Sequence, residues 1–439
     1  MRWKGTALAL LGAAAVVGIA IGFTLGGGDG TTITNGSGTT NAGSGSQTAS
    51  TTTGTGTSTT LVQLPKPGEI RPGHRLIVAT VDDAVRQSDP KVAAQLMKIS
   101  HHAGFDAILV SSIWKPGAKA PSAQERLTLG NVVKAADTEG MRVFVFVWHG
   151  LSGTTPRTVR ARGQFAAYAA SLARAFPQVR DFVVGNEPNL NTFWMPQFGP
   201  GGRDAAASSY LDLLARTYDA LKVVSPEIQV IGGALAPRGS DRPGTRRDTH
   251  SPTKFIEDLG AAYRASHRST PIMDAFAIHP YMRTSKLPPT DTHAASTTIT
   301  VGDYPKLVTL LARAFTGTPQ RGPGLPVYYT EFGVQTRVPA AHRHAYTDLQ
   351  SPSAIDAIDP LTQAPYYREA LALAACQPTV KGLFVFHTFD EPDLAGWQSG
   401  LYYADQQPKP SLPAFRKAAA EARAASLTHC SGVTFVPKK

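Results

Sequence analysis

The sequence predicts an α/β fold of the (β/α)8 TIM-barrel type, and three observations lead there. From Arg75 onward, short runs rich in Val, Ile and Phe alternate with longer segments of helical periodicity. Eight runs and eight helical segments can be counted, which suits a closed barrel better than an open sheet. The runs are also nearly continuous in apolar residues, the mark of parallel strands covered by helices on the outside.

The elements follow in strict alternation. The first strand is read over 75–82 and its helix over 91–103, where apolar residues recur every three or four positions. Strand 107–113 and helix 124–139 come next, then the strongly β-branched and aromatic strand 142–148 with helix 159–175. The fourth and fifth units are 181–185 with 205–224 and 229–234 with 253–266. The last three are 275–279 with 304–315, 327–331 with 366–376, and 382–387 with 411–425. An open doubly wound sheet would usually place a Gly-rich phosphate loop after its first strand, whereas Val81-Asp82-Asp83-Ala84 follows here and no G-x-G-x-x-G occurs.

Ahead of the barrel the composition changes twice. Arg2 and Lys4 precede an uncharged apolar run over residues 7–25, close to the ~20 residues a spanning helix needs, so 1–25 is read as a signal anchor or signal peptide. The basic residues before the run keep the N-terminus inside and send the rest outward. The chain is therefore expected to be exported, either membrane-anchored facing outward or secreted if the signal is cleaved. Residues 26–60 are almost wholly Gly, Ser, Thr and Asn and are read as a disordered stalk, leaving 61–439 as the catalytic domain.

The net charge of +11 is spread along the chain with no nucleic-acid motif beside it, so no nucleic-acid partner is expected, although a basic exterior would concentrate polyanions. Cys376 and Cys430 are the only cysteines, too few for a four-cysteine zinc site. In an exported chain they are expected to pair, closing a loop of about 54 residues and adding roughly 4 kcal/mol.

A barrel carries its active site at the C-terminal ends of its strands. Those ends supply Trp114, Trp148, His149, Asn186, Glu187, His279, Tyr281, Glu331, His387 and Asp390. Strand four runs out in Val184-Gly185-Asn186-Glu187-Pro188 and strand seven in Tyr329-Thr330-Glu331-Phe332-Gly333, so two glutamates enter one mouth from nearly opposite sides. Facing carboxyl groups are what glycosidic-bond cleavage requires, one to protonate the leaving oxygen and one to attack or to activate water.

These motifs resemble clan A of the retaining glycoside hydrolases, including its cellulase-like and β-xylosidase-like members, over the whole barrel. The resemblance implies Glu187 as general acid/base, Glu331 as nucleophile and Asn186 as a contact to the sugar 2-hydroxyl. His279-Pro280-Tyr281 resembles the clan's His-x-Tyr, whose tyrosine hydrogen-bonds the nucleophile, and Gly400-Leu401-Tyr402 with Lys409-Pro410 resembles its C-terminal tail. Glu187 is expected to start protonated beside the second carboxylate. Where the clan commonly has a tryptophan after strand eight, this chain has His387-Thr388-Phe389-Asp390, so Trp397 or Phe389 is the expected platform. No arginine follows strand two, where Ile113-Trp114-Lys115 stands.

Trp114, Trp148, His149 and Trp397 are thus expected to bind substrate with Asn186, His279 and Tyr281. Asp390 and Asp393 are expected in a solvated loop or distal subsite, and Asp82 and Asp83 either bind substrate or cap a turn. No metal or other cofactor is expected, because the strand-one His-x-His of metal-dependent amidohydrolase barrels is missing. The expected partner is a polysaccharide or oligosaccharide, met by a monomer. The competing functions are a non-catalytic carbohydrate-binding barrel and a transglycosylase with the same covalent intermediate.

Overall fold

The computed structural model describes residues 73–245, 247–349 and 356–427. The apolar segment 1–25, the stretch 26–60 and Cys430 lie outside them. Among the described residues no helix is long and apolar enough to cross a membrane.

Eight parallel strands close into a barrel in sequence order: β1 (Ile77–Val81), β2 (Ala107–Ile113), β3 (Arg142–Trp148), β4 (Asp181–Val184), β5 (Gln229–Leu235), β6 (Ala275–Ile278), β7 (Val327–Phe332) and β8 (Val380–Phe386). The ring closes where β1 pairs with β8, Val78 opposite Leu383. Each strand is followed by a helix: α1 (Pro90–Ala103), α2 (Ala123–Glu139), α3 (Val159–Ala175), α4 (Ala205–Val224), α5 (Pro252–Ala265), α6 (Tyr304–Phe315), α7 (Pro360–Cys376) and α8 (Leu412–Arg423). The alternating fold class is therefore the one the sequence predicts.

Local chemistry sets the helix ends. Asp89, Ser122, Thr158, Asp204, Ser251 and Asp359 stand just ahead of α1, α2, α3, α4, α5 and α7, each accepting a first-turn backbone N–H through its side chain. The seventh helix begins six residues earlier than predicted, at Pro360 and not at Tyr366. Pro365 looks like a breaker in sequence, but it lies one turn inside a helix already started by the Asp359 cap, where it removes a single N–H. Cys376 ends this helix, buried and disulfide-bonded.

The near-continuous apolar strands follow from burial on both faces. One set of residues, including Leu109, Phe144, Phe146, Ile231, Tyr328 and Phe384, fills the barrel interior. The alternate set, such as Ile108, Val145, Phe182 and Val230, packs beneath the helices.

The ladder is irregular where the mouth opens. The β4–β5 pairing ends at Val183 opposite Ile231, and beyond it the Tyr210 hydroxyl from α4 takes over. That hydroxyl donates to Val184 O at 2.8 Å and accepts from Gly233 N at 2.7 Å. Gly233 has φ +93°, and a Cβ there would lie 2.6 Å from Ala277 O, so the β5 bulge requires glycine. The bulge frees Ala234 O to accept the Glu187 N–H at 2.9 Å. On the opposite side, the β7–β8 register shifts between Tyr329 and Phe332, around Glu331. Both glutamates thus stand at breaks in the ladder, where side chains can be aimed inward.

Tyr210→Phe should cost about 1–3 kcal/mol, because it strands a buried donor and a buried acceptor without partners. Urea unfolding would measure it, and an unchanged midpoint would show that the hydroxyl does not hold the β4 and β5 ends together.

Candidate active site

Glu187 and Glu331 meet at the C-terminal mouth, both beside the same ring nitrogen of His279. The His279 Nδ1 lies 3.0 Å from Glu187 Oε1 and 3.3 Å from Glu331 Oε2. An oxygen of each carboxylate and a nitrogen of His279 all fall within 4.8 Å of one another. Tyr281, two residues past His279, donates its hydroxyl to Glu331 Oε2 at 3.1 Å. The chain turns tightly at Pro280, the Tyr281 N–H donating to His279 O at 2.9 Å, and both side chains of the His-x-Tyr reach the pair.

Glu187 holds its place with a backbone that most residues avoid, φ +38°, two residues after Gly185 at φ +80°. Non-glycine residues in this region concentrate at functional sites. Asn189 helps impose it. Its side chain accepts from Ala236 N at 2.9 Å and donates to His250 O at 3.0 Å, fastening the loop after β4 to the loop after β5.

Burial and mutual charge set the electrostatics. Burial first, then the charge of Glu187, raises Glu331 above the ordinary 4.5, against the lowering pull of His279, Tyr281 and His387. Burial disfavours the His279 cation, but Glu331 and Glu187 outweigh it, so its pKa lies above 6.5. His387 is also pushed up, to about 9, because Glu391 and Asp82 overcome its burial.

The remaining predicted residues divide. Tyr281 and Trp397 rings are 4.9 Å apart, so Trp397 forms a wall beside the Tyr281 that bonds Glu331, in the place the sequence left to it or to Phe389. Phe389 is buried against Tyr402. Trp148 is half-buried at the end of β3, stacked on Phe146, and Phe146 in turn lies edge-on to His279. Its indole nitrogen, Asn186 Oδ1 and His279 Nε2 are buried polar atoms with no hydrogen-bond partner among the described residues.

Trp114 is not at the mouth. It is 1% exposed, its indole N–H donates to Ala118 O at 2.8 Å, and it packs on Phe165, so its predicted role in substrate binding is corrected to core packing. His149 is 2% exposed against the Trp194 ring, and burial lowers its pKa to about 4, leaving it neutral at pH 7.

Asp390 is neither solvated nor in a distal subsite. Fully enclosed, it accepts from Lys409 Nζ at 2.6 Å, Gly400 N at 2.9 Å and Tyr346 Oη at 2.8 Å. The Gly400 and Lys409-Pro410 motifs are thus explained as a lock on the segment that carries Trp397. Any larger residue at 400 would place its Cβ 2.5 Å from the Phe389 carbonyl carbon. Asp393 caps Ala395 N at 2.9 Å. Asp82 accepts from the N–H groups of Ala84, Thr388 and Phe389, and Asp83 from Ser111 N, so both act as backbone caps.

Two residues went unnoticed in sequence. Glu391 lies 3.3 Å from His387 Nε2 and accepts from Trp397 N at 3.0 Å, a link the four-residue spacing from His387 could have suggested. Arg238, after β5, donates to Tyr281 O at 3.2 Å; an arginine inside a long loop gives no periodic signal.

No protein-family model and no curated protein matches the sequence. The fold, however, is similar to that of several solved structures. A GH39 enzyme from Xanthomonas axonopodis pv. citri is 18% identical over 82% of this chain and 70% of that chain, with a TM-score of 0.50. A GH5_18 variant from Streptomyces cattleya in complex with Manb1-4GlcNAc is 18% identical over 80% and 81%, with a TM-score of 0.51. A monomeric beta-xylosidase from Caulobacter crescentus CB15 is 17% identical over 79% and 69%, again with a TM-score of 0.51. At these identities the likeness is one of fold.

Glu331→Gln should stabilise the chain by about 1 kcal/mol at pH 7, since it removes a carboxylate whose ionisation is opposed by burial and by Glu187. The sign follows from the raised carboxyl. The unfolded chain ionises near 4.5 and the folded chain only above it, so the cost is full at high pH and absent below 4.5. Melting curves of the variant and the parent should therefore converge as pH falls toward 4; a gap that persists there would place the effect in packing.

Proposed function

We propose that the chain is a retaining O-glycosyl hydrolase acting on an extracellular or cell-surface polysaccharide or oligosaccharide. One observation carries the proposal: the two mouth glutamates have oxygens within 4.8 Å of each other, with His279 between them and the Tyr281 hydroxyl on Glu331. Retaining enzymes hold their carboxyls about 5–5.5 Å apart, while inverting enzymes leave ~6.5–9.5 Å for a water. The clan resemblance of both strand ends and the shared barrel fold support the same reaction.

In this mechanism Glu331, kept anionic by the Tyr281 hydroxyl, attacks the anomeric carbon while Glu187 gives its proton to the leaving oxygen. A glycosyl ester on Glu331 results. Glu187, now a carboxylate, takes a proton from water, which displaces the sugar from Glu331 with a second inversion. The unpartnered Trp148 Nε1, Asn186 Oδ1 and His279 Nε2 are the donors and acceptors a polyhydroxylated ring would satisfy, and Trp397 offers it an apolar face. The apolar segment 7–25 would export the chain and hold it at the outer membrane surface.

A carbohydrate-binding barrel without catalysis has no use for two buried, mutually repelling carboxylates. Transglycosylation shares every step up to the choice of acceptor.

Incubation with a panel of 2-fluoro glycosides should leave a covalent sugar on Glu331, read by peptide mass spectrometry and missing from Glu331→Gln. No adduct across the panel, together with undiminished polysaccharide binding by both proteins, would favour the binding barrel. Tyr281→Phe should in addition move the acid limb of kcat/KM to higher pH, since the hydroxyl's bond lowers the Glu331 pKa and its loss lets that pKa rise. An acid limb that stays in place would separate Tyr281 from the nucleophile.

A further inference from the structure

A second cluster of ligand-type side chains lies away from the catalytic pair. Asp204 caps α4, His250 ends the long loop after β5, and Asp258 is on α5. One ligand atom from each falls within 4.8 Å of the others. The Asp204 and His250 side chains are only 3% and 2% exposed. Asp204 uses Oδ1 to accept from Ala207 N at 2.7 Å, while its Oδ2 is buried with no hydrogen-bond partner. Asp258 pairs with Lys254 through Oδ1, and its own Oδ2 is likewise buried and unpartnered, as is His250 Nδ1.

His250 Nε2 donates to Gln197 O at 3.0 Å, 3.3 Å from Asp204 Oδ1, which leaves Nδ1 as the acceptor of the ring; deprotonated carboxylate oxygens are acceptors too, and facing acceptors cannot satisfy each other. The surrounding charge does not settle the account. Asp241 adds a third carboxylate, 3.9 Å from His250 Nδ1, and Lys254 is the cation paired with the group. Burial first and then Asp258 push the Asp204 carboxyl up to about 7, the direction expected of acids with too little positive charge beside them.

We propose that Asp204, His250 and Asp258 bind a divalent transition-metal cation, of the zinc or manganese kind, that ties the β4–α4 and β5–α5 loops together. The donor set, two carboxylates and an imidazole, suits borderline cations better than the all-oxygen shells of calcium or magnesium. Its place in the fold gives it a structural task. His250 N donates to Asn189 O at 2.8 Å, and the Asn189 side chain returns a bond to His250 O, so a cation at His250 stiffens the loop on which Glu187 stands. The role is one of positioning, since none of the three side chains is among those at the catalytic pair.

The test uses the full chain, stripped with a chelator and titrated calorimetrically with zinc and with manganese, beside Asp258→Asn and Glu331→Gln. One equivalent should bind the parent and Glu331→Gln alike, with Asp258→Asn weakened at least ten-fold. The cation at about a hundred times Kd should also raise the parent's melting midpoint by roughly 5 °C, an increase Asp258→Asn should lose. Circular dichroism of metal-free Asp258→Asn establishes that the variant folds; Asp258→Glu, which keeps the carboxylate, should restore part of the affinity. Absence of binding by the parent would mean that Asp204 and Asp258 share a proton instead. Binding lost in Glu331→Gln but kept in Asp258→Asn would move the ion to the catalytic carboxylates, and either result overturns the proposal.

Discussion

Two carboxylates held within 4.8 Å of each other and out of bulk water are the constraint around which the mouth of this barrel is arranged. At an effective dielectric near 20, like charges about 5 Å apart repel by roughly 3 kcal/mol, before any cost of dehydration. The protein answers with donors aimed at the pair. His279 reaches both acids, Tyr281 reaches Glu331 alone, and His387 adds a charge from just past β8. The asymmetry is functional: only one of the two acids receives the tyrosine hydroxyl, so the donors favour an anion at Glu331.

Holding those donors still requires support that lies outside the reacting groups. Glu187 occupies a strained backbone, and Tyr210, the Gly233 bulge and Asn189 together leave it no other course. On the far side, the enclosed Asp390–Lys409 pair fixes the segment after β8 that bears Trp397, and Asp82 fastens the start of that segment to the end of β1. A buried ion pair is a poor source of net stability, because dehydration offsets most of the attraction. Its value here is registry, for Lys409 also reaches Thr336 Oγ1 and Gln398 O and so gathers the loops after β7 and β8 around one ammonium.

The barrel was legible because each βα unit writes its own boundary. Helices 159–175, 205–224 and 304–315 match residue for residue, the first two because their Thr158 and Asp204 caps agree with the apolar period and the third on its apolar period alone. Glu187 and Glu331 were legible for a related reason, each being a carboxylate at the point where an apolar strand ends. What escaped depends on contacts distant in sequence. Trp114 lies one residue past β2, as exposed in sequence as Trp148 at the end of β3, yet the turn after β2 folds it under α3. Asp390 read as a loop acid because its partner, Lys409, is nineteen residues away, across a turn that shows no periodicity. The early start of α7 was hidden by Pro365, whose effect depends on its distance from the cap.

These features bear on whether the mouth evolved to bind or to react. A sugar-binding surface needs an aromatic face and a few polar groups, all of which Trp397, Trp148 and Asn186 could supply without either glutamate. Placing both acids beside them adds repulsion, forces Glu187 into a left-handed backbone and calls for an enclosed histidine raised toward its cation. None of this improves affinity for a neutral ring. All of it serves the proposed reaction, in which a proton leaves one carboxyl as the other gains a bond, because at each step the pair then carries a single negative charge, which the His279 and Tyr281 donors are placed to stabilise.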